Sequence, residues 1–203
     1  MAFVDLLFPV QGGPVPLDHG YLLFAALSRH IPALHECADM GVFSLRGVSN
    51  TRELLYLGRG TLRLRCPVDA VGTLLPLVSA PLEVAGRRLS LGAPSLYALE
   101  PVPVLSARLV TFKHAMDEAS FVVAVTRALE TFGVEASLKV GRRRIVCIAG
   151  KKVVGFALEL HGLSAEHSLR VQERGLGGRR HMGCGLFLPP GRVARAQSRG
   201  KAA

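Results

Sequence analysis

The apolar positions of this chain follow two periods, and each switch between them marks a new element. Residues 2–10 (AFVDLLFPV) form an almost unbroken apolar run closed by Pro9 and the Gly12-Gly13-Pro14 turn, which predicts a buried strand. Residues 17–30 (LDHGYLLFAALSRH) instead space their apolar side chains along one face of a helix, with Asp18 as N-cap and Pro32 ending it. Strand patterns return over 42–48 and 54–66, the second alternating strictly through Thr61-Leu62-Arg63-Leu64-Arg65. Pro67 and Asp69 open a short helix over 68–78. Residues 82–91 and 95–105 are again strand-like, with Gly86-Arg87-Arg88 as a turn.

The order strand, helix, strand, strand, helix, strand then starts again. A strand over 107–113 leads to a helix over 117–132 closed by Gly133. Strands follow over 137–140, 144–149 and 153–160, the last two joined by a Gly150-Lys151-Lys152 turn. Ser164 N-caps a further helix that runs into a glycine-rich stretch, and a strand over 184–188 closes the pattern. Two βαββαβ units in tandem make this an α+β chain of two ferredoxin-like domains, 1–105 and 106–191, the second with a C-terminal glycine-rich loop. Residues 192–203 are basic, lack apolar periodicity and read as a loose tail.

Composition narrows the function. At 203 residues, 49% of them hydrophobic and 20% charged, the chain can bury a substantial core. Its formal net charge of +10 calls for a polyanionic partner, nucleic acid being the simplest. The charge is clustered at Arg142-Arg143-Arg144, Lys151-Lys152 and Arg179-Arg180. With no Trp and aromatics at 6%, a broad base-stacking platform is not expected. Cys37, Cys66, Cys147 and Cys184 are scattered with no CxxC or CxxH pair, so thiols in a reducing cytoplasm are expected and a structural metal site is not. No apolar run is long enough for a membrane span, and no basic region precedes the first apolar run as a secretory signal would require.

The stretch Gly175-Leu176-Gly177 … Gly183-Cys184-Gly185 holds two Gly-apolar-Gly units around Gly178, Arg179, Arg180, His181 and Met182. So many glycines imply positive φ angles or a close backbone approach, and backbone amides beside cations suit phosphate. A plain surface turn is the alternative. The stretch follows a helix at the end of the fold, so it is not a dinucleotide fingerprint, and no Gly-Lys-Ser/Thr follows to make a P-loop.

A basic tandem ferredoxin-like chain with this loop resembles the CRISPR repeat-processing endoribonucleases of the repeat-associated mysterious protein (RAMP) superfamily. Their loop is also written G-apolar-G, five residues, G-apolar-G, after the last helix. The resemblance implies a cytoplasmic endoribonuclease that cuts CRISPR precursor RNA within its repeats without a metal ion or cofactor. The substrate's 2′-hydroxyl would attack the adjacent phosphate, giving a 2′,3′-cyclic phosphate and a 5′-hydroxyl, and the product would stay bound. It also implies repeat RNA as partner, with other effector-complex subunits as further partners and no membrane. Such chemistry needs a base, an acid and a cation near the phosphorane. The resemblance implies a histidine in or just after the first helix: His30, His35 and His19 are the candidates, with Tyr21 and Ser28 as hydrogen-bonding partners and Arg29 for phosphate. The RNA-binding candidates are the loop residues Gly175, Gly177, Gly178, Arg179, Arg180, His181, Gly183 and Gly185, and the basic edge of Arg142, Arg143, Arg144, Lys151 and Lys152. His114, His161 and His167 carry no motif and are expected to be structural. A second reading is a non-catalytic RNA-binding RAMP subunit of an effector complex. A metabolic enzyme would need convergent carboxylates, and the 15 acidic residues are spread along the chain.

Overall fold

The computed structural model describes residues 2–191; the expected basic tail lies outside the described residues. The chain divides into two compact units, the first ending at Ala98 and the second beginning at Leu99.

In the first unit, β1 (Phe3–Gly12), β2 (Val15–Pro16), α1 (Gly20–His30), β3 (Gly41–Val42), β4 (Ser49–Asn50) and β5 (Leu54–Tyr56) precede β6 (Gly60–Pro67). A helical stretch around α2 (Val71–Leu74) leads to β7 (Leu82–Val84), β8 (Arg87–Leu91) and β9 (Ser95–Ala98). The main sheet runs β3-β6-β1-β8-β7, with β9 also on β1. β8 pairs with β1 at Val10–Gly12 and β9 pairs at Val4–Leu7, so one edge of β1 carries a strand broken into two segments. All pairings are antiparallel, and the order is that of a ferredoxin-like βαββαβ unit. Leu6 and Phe8 of β1, Leu62 and Leu64 of β6, and Leu23 and Leu27 of α1 are buried in the core. The alternation of β6 puts Arg63 and Arg65 on the opposite face.

Several expected boundaries move. α1 starts at Gly20, with His19 rather than Asp18 at the N-cap and no side-chain cap bond. The expected strands 42–48 and 54–66 are broken, the second by a turn at Gly58, whose φ is 52°. The expected strand 95–105 stops at Ala98, because Pro101 and Pro103 cannot donate to a ladder. The unit boundary therefore falls before Leu99 and not after residue 105.

The second unit contains β10 (Val104–Val110), α3 (Glu118–Phe132), β11 (Ser137–Ile148), β12 (Lys151–His161) and α4 (Ala165–Arg174). The sheet order is β10-β12-β11. Asp117 caps α3 by accepting from Ser120 N–H at 2.8 Å, Gly133 ends it in the left-handed region, and Ser164 caps α4 by accepting from His167 N–H at 3.1 Å. Phe121 and Val125 of α3 pack with Leu105, Phe156, Leu158 and Phe187 in the core. The expected gap after Val140 is a β-bulge inside one long strand, and the hairpin turns at Ala149 and Gly150, both at positive φ. The expected closing strand 184–188 shrinks to one bridge, Ser106 with Leu188. Residues ahead of β10 are tied to α4: Val102 N–H donates to Ser168 Oγ (2.9 Å) and Gln172 Nε2 donates to the Glu100 carbonyl (2.9 Å). That tie is why they belong to this unit.

Candidate nucleic-acid interface and candidate catalytic histidines

The glycine-rich loop takes the place of a fourth strand along the free edge of β10. Gly178 N–H donates to the Thr111 carbonyl (3.0 Å) and Gly185 N–H to the Leu109 carbonyl (2.8 Å). The two Gly-apolar-Gly units also bond each other, Leu176 N–H to the Gly185 carbonyl (3.0 Å). The middle residues, Leu176 and Cys184, are buried. Glycine is needed at the flanks because main chain lies on main chain. A Cβ on Gly177 would land on the Thr111 carbonyl oxygen, one on Gly185 on the Leu176 carbonyl oxygen, and one on Gly175 on the Gly185 carbonyl oxygen. Gly175, Gly177, Gly183 and Gly185 also have positive φ. Gly178 differs: nothing lies within 4 Å of its would-be Cβ, and it is exposed.

Between these units the chain turns through Arg179, at φ 65°, and a 3-10 turn, Arg180–Met182. Arg179 is an exposed non-glycine residue in the left-handed region, which costs roughly 1–2 kcal/mol. Arg180 has a different use: its Nη2 donates to the Glu173 carbonyl in the last turn of α4 (2.5 Å), where a cation suits the negative helix end. His181 is half-buried.

The basic hairpin is not one edge. Lys151 and Lys152 sit at its tip, paired with Ile148 and Cys147. The arginines lie further down and on different faces. Arg143 pairs with the core residue Phe156, and its Nε donates to the Met116 carbonyl (3.4 Å). Arg144 pairs with Gly155 on the open face.

The three first-helix histidines separate sharply. His19 is 3% exposed. Its Nδ1 donates to the Pro16 carbonyl (2.9 Å) and its Nε2 accepts from Leu45 N–H (2.8 Å), so both ring nitrogens serve the fold. His30 is exposed at the last turn of α1, and its Nε2 donates to the Pro81 carbonyl (3.2 Å). That bond fixes the tautomer and leaves Nδ1 the unprotonated nitrogen, with no partner among the described residues. Next to it, Arg29 Nη2 donates to the Glu83 carbonyl (2.8 Å). His35, exposed at the end of a short 3-10 turn, packs edge-on against Phe24 with ring centroids 5.0 Å apart. Tyr21 and Ser28 flank Phe24 on the same stripe of α1; Tyr21 is exposed and Ser28 Oγ donates to the Phe24 carbonyl (2.9 Å). His19 and His30 lie at opposite ends of an 11-residue helix, about 16 Å apart along its axis, and cannot meet at one phosphate. Outside α1, His161 Nε2 lies 3.1 Å from Glu159 Oε2, and His167 Nδ1 accepts from Glu135 N–H (3.2 Å).

A buried cluster in the first unit escaped the sequence reading. Asp5, 2% exposed, accepts from Arg65 Nε (2.7 Å) and Arg63 Nη1 (2.6 Å), and the Arg65 guanidinium lies 5.2 Å from the Phe43 ring centre. Burial pushes the Asp5 carboxyl up, but the hydrogen bonds and charges of Arg65 and Arg63 outweigh it and hold the group below its ordinary value. The alternation in 61–65 was the available signal: a strand with leucines on one face and two arginines on the other needs a carboxylate nearby if the second face is covered. Burial beside Asp5 pushes the Cys66 thiol up to about 11, and none of the four cysteines forms a disulfide.

The family model for Cas6 Crispr matches residues 4–192. A protein of Myxococcus xanthus (strain DK1622) named CRISPR-associated endonuclease Cas6 is 86% identical over 203 residues, which is 100% of this chain and 88% of that protein. The chain belongs to the Cas6 family. Solved Cas6 structures carry the same fold at low identity. A CRISPR associated protein Cas6 aligns at TM-score 0.63 and 8% identity, over 92% of this chain and 98% of that one. A Cas6-related protein of Pyrococcus furiosus aligns at TM-score 0.63 and 12% identity, over 92% and 97%. Thermus thermophilus Cse3, solved bound to an RNA representing a pre-cleavage complex, aligns at TM-score 0.54 and 15% identity, over 93% and 98%. This Cas6 chain is thus α+β with tandem ferredoxin-like folds, and none of its described helices is long and apolar enough to cross a membrane.

Proposed function

We propose that this chain is an endoribonuclease that binds CRISPR repeat RNA and cuts it by internal attack of a 2′-hydroxyl, without a metal ion. The observation that carries the reading is the 86% identity, over the whole chain, to a protein named a CRISPR-associated endonuclease. The RNA in the Thermus Cse3 structure supports an RNA substrate. In the reaction the substrate O2′ bonds to phosphorus as the P–O5′ bond breaks. One proton leaves O2′ and another reaches O5′, giving a 2′,3′-cyclic phosphate and a 5′-hydroxyl. His30 is the proton acceptor that the geometry favours: it is exposed, and the Pro81 carbonyl holds its Nε2–H, which leaves Nδ1 as the basic nitrogen of an oriented general base. Tyr21, on the Phe24 stripe of α1, and His35, packed on Phe24 from the 3-10 turn that follows, are the candidate proton donors. Arg179 at the loop tip, Arg142 and Arg144 on the sheet and Lys151 and Lys152 at the hairpin tip supply charge for the RNA backbone.

A non-catalytic RNA-binding subunit is the second reading. It is favoured by the full commitment of His19 to the fold, which removes one of three histidines from chemistry. Incubating end-labelled repeat RNA with the protein in EDTA separates the two. Cleavage is expected to persist in EDTA, and to stop when the nucleotide upstream of the cut carries a 2′-deoxyribose while binding remains. Binding without cutting of the all-ribose RNA would give the second reading. Efficient cutting of the deoxy substrate would overturn the internal attack.

A further inference from the structure

His30 is oriented by more than its own helix. Its partner, the Pro81 carbonyl, belongs to the run into β7, the edge strand of the first unit's main sheet. A two-residue turn joins β7 to β8 through Ala85 and Gly86, both at positive φ (52° and 72°). Such a turn fixes the register: Val84 bonds with Arg87 beside it, so the next pair, Glu83 with Arg88, turns its main-chain groups outward. Carbonyl direction alternates along an extended chain, so Pro81 presents its own to the same side as Glu83. The last turn of α1 takes both: His30 Nε2 donates to Pro81 (3.2 Å) and Arg29 Nη2 to Glu83 (2.8 Å). Pro81 has no N–H, so at that point the edge offers an acceptor alone.

The chain ahead of Pro81 is tightly constrained. Ser79 lies in the left-handed region (φ 63°), where a non-glycine residue is uncommon. Ala80 precedes a proline and is restricted to extended conformations, and the Pro81 ring locks its own φ. Ser79 N–H donates to the Leu91 carbonyl (2.9 Å) and Ala80 N–H to the Leu77 carbonyl (3.2 Å). Leu77 and Leu82, on either side, are fully buried. The Ser79 side chain is exposed and makes no hydrogen bond among the described residues. Its contribution is therefore the backbone turn, and non-glycine residues held in such conformations cluster at functional sites.

We propose that Ser79 is a positioning residue for the cleavage reaction: its left-handed turn aims the Pro81 carbonyl at His30 Nε2. That carbonyl keeps Nε2 protonated and leaves Nδ1 as the basic nitrogen. Arg29 is the second clamp of the same mount, tying the end of α1 to the strand at Glu83. The inference rests on the reading of His30 as the proton acceptor and adds the residue that orients it.

Two substitutions in the full chain test it. A β-branched residue is strongly disfavoured at positive φ, whereas glycine adopts it freely. With protein in excess over repeat RNA, Ser79→Val is expected to cut roughly tenfold to a hundredfold more slowly at unchanged RNA affinity. The conservative Ser79→Gly, which keeps the turn, is expected to rescue the rate. Two-bond proton–nitrogen spectra of the imidazoles read the tautomer directly, with the His30 signal assigned by its absence in His30→Ala. The Nε2–H form is expected in the parent and in Ser79→Gly, and a mixture of both forms in Ser79→Val. A Ser79→Val protein that cuts at the parent rate, or a Ser79→Gly protein as slow as Ser79→Val, would overturn the positioning role. So would a parent-like His30 signal in Ser79→Val. If instead His30→Ala cuts at the parent rate, it is the reading of His30 as proton acceptor that fails, an outcome no Ser79 variant can mimic. Should Ser79→Val not fold, Pro81→Gly frees the φ of the residue that bears the carbonyl and carries the same measurements. A slower rate and mixed tautomers are expected there, and parent behaviour in both would overturn the proposal.

Discussion

Thr111 and Gly178 hold each other twice: Gly178 N–H donates to the Thr111 carbonyl at 3.0 Å, and Thr111 Oγ1 donates to the Gly178 carbonyl at 3.3 Å. The pair pins the glycine loop to the chain just past β10, and it separates two kinds of glycine. At Gly177 a Cβ would strike the Thr111 carbonyl oxygen, whereas at Gly178 it would meet nothing. Gly177→Ala is therefore expected to lower stability by about 1–3 kcal/mol and to leave the RNA affinity of the folded protein near normal. Gly178→Ala should melt like the parent and weaken RNA binding if the backbone of the ligand approaches there. Thermal melting and fluorescence anisotropy on the same two variants check both statements.

His19 and His30 should respond oppositely to replacement. His19→Ala strands the Pro16 carbonyl and the Leu45 N–H in a buried site, at a cost of about 2–4 kcal/mol. His30→Ala removes one exposed hydrogen bond and should change stability by less than about 1 kcal/mol. Its single-turnover cleavage rate should fall on the order of a hundred- to ten-thousand-fold, with RNA affinity kept. A His30→Ala protein that cuts at the parent rate would pass the role to His35, tested in the same assay.

Arg179 and Arg180 are adjacent but have different work. Arg179→Gly relieves a left-handed residue, so stability should hold or rise by up to about 1 kcal/mol. The same change should lower the log–log salt slope of RNA binding by roughly 0.7–0.9. Arg180→Ala removes the charged donor at the end of α4 and should cost about 1–3 kcal/mol. Melting curves paired with salt titrations distinguish the two residues.

Asp5 gives a pH dependence of defined sign. Its carboxyl is held below its ordinary value in the fold, while in the unfolded chain it titrates near about 3.9. The stability it contributes is therefore fully present above that unfolded value. It is lost as the pH falls from there through the lower folded value. Asp5→Asn should cost about 3–5 kcal/mol at neutral pH, since two guanidiniums would then face an amide. It should also flatten the acid limb of the stability profile. Denaturant titrations between pH 7 and 2.5 read both effects.

The features legible in the sequence were those set by neighbours in the chain. Asp117 with Gly133, and Ser164, announce α3 and α4 because capping acts over three or four residues. The Gly-Leu-Gly and Gly-Cys-Gly spacing was equally plain, but its cause was not. The glycines answer carbonyls of Thr111 and Leu176 that only the fold brings near, and so their spacing alone could not separate ligand contact from self-contact. His19 looked like its neighbours His30 and His35 because its partner Leu45 lies 26 residues away. The pairing of Asp5 with Arg65 spans 60 residues and was equally invisible. The strand expected over 95–105 failed for a reason that was in view: prolines at 101 and 103 break a ladder whatever the apolar pattern around them.

The base of the glycine loop is closed almost wholly by main chain, from Leu176 to Gly185 and from Gly178 and Gly185 onto the segment of β10. A closure of that kind is indifferent to which side chains hang between its two halves. The tip from Arg179 to Met182 is therefore an exchangeable cassette. Its residues can be rewritten to present another charge pattern without moving the bridge between Ser106 and Leu188 or the core beneath it. Arg180 is the point of conflict, because it belongs to the tip by position and to α4 by its hydrogen bond, and a redesign of the tip would have to keep it.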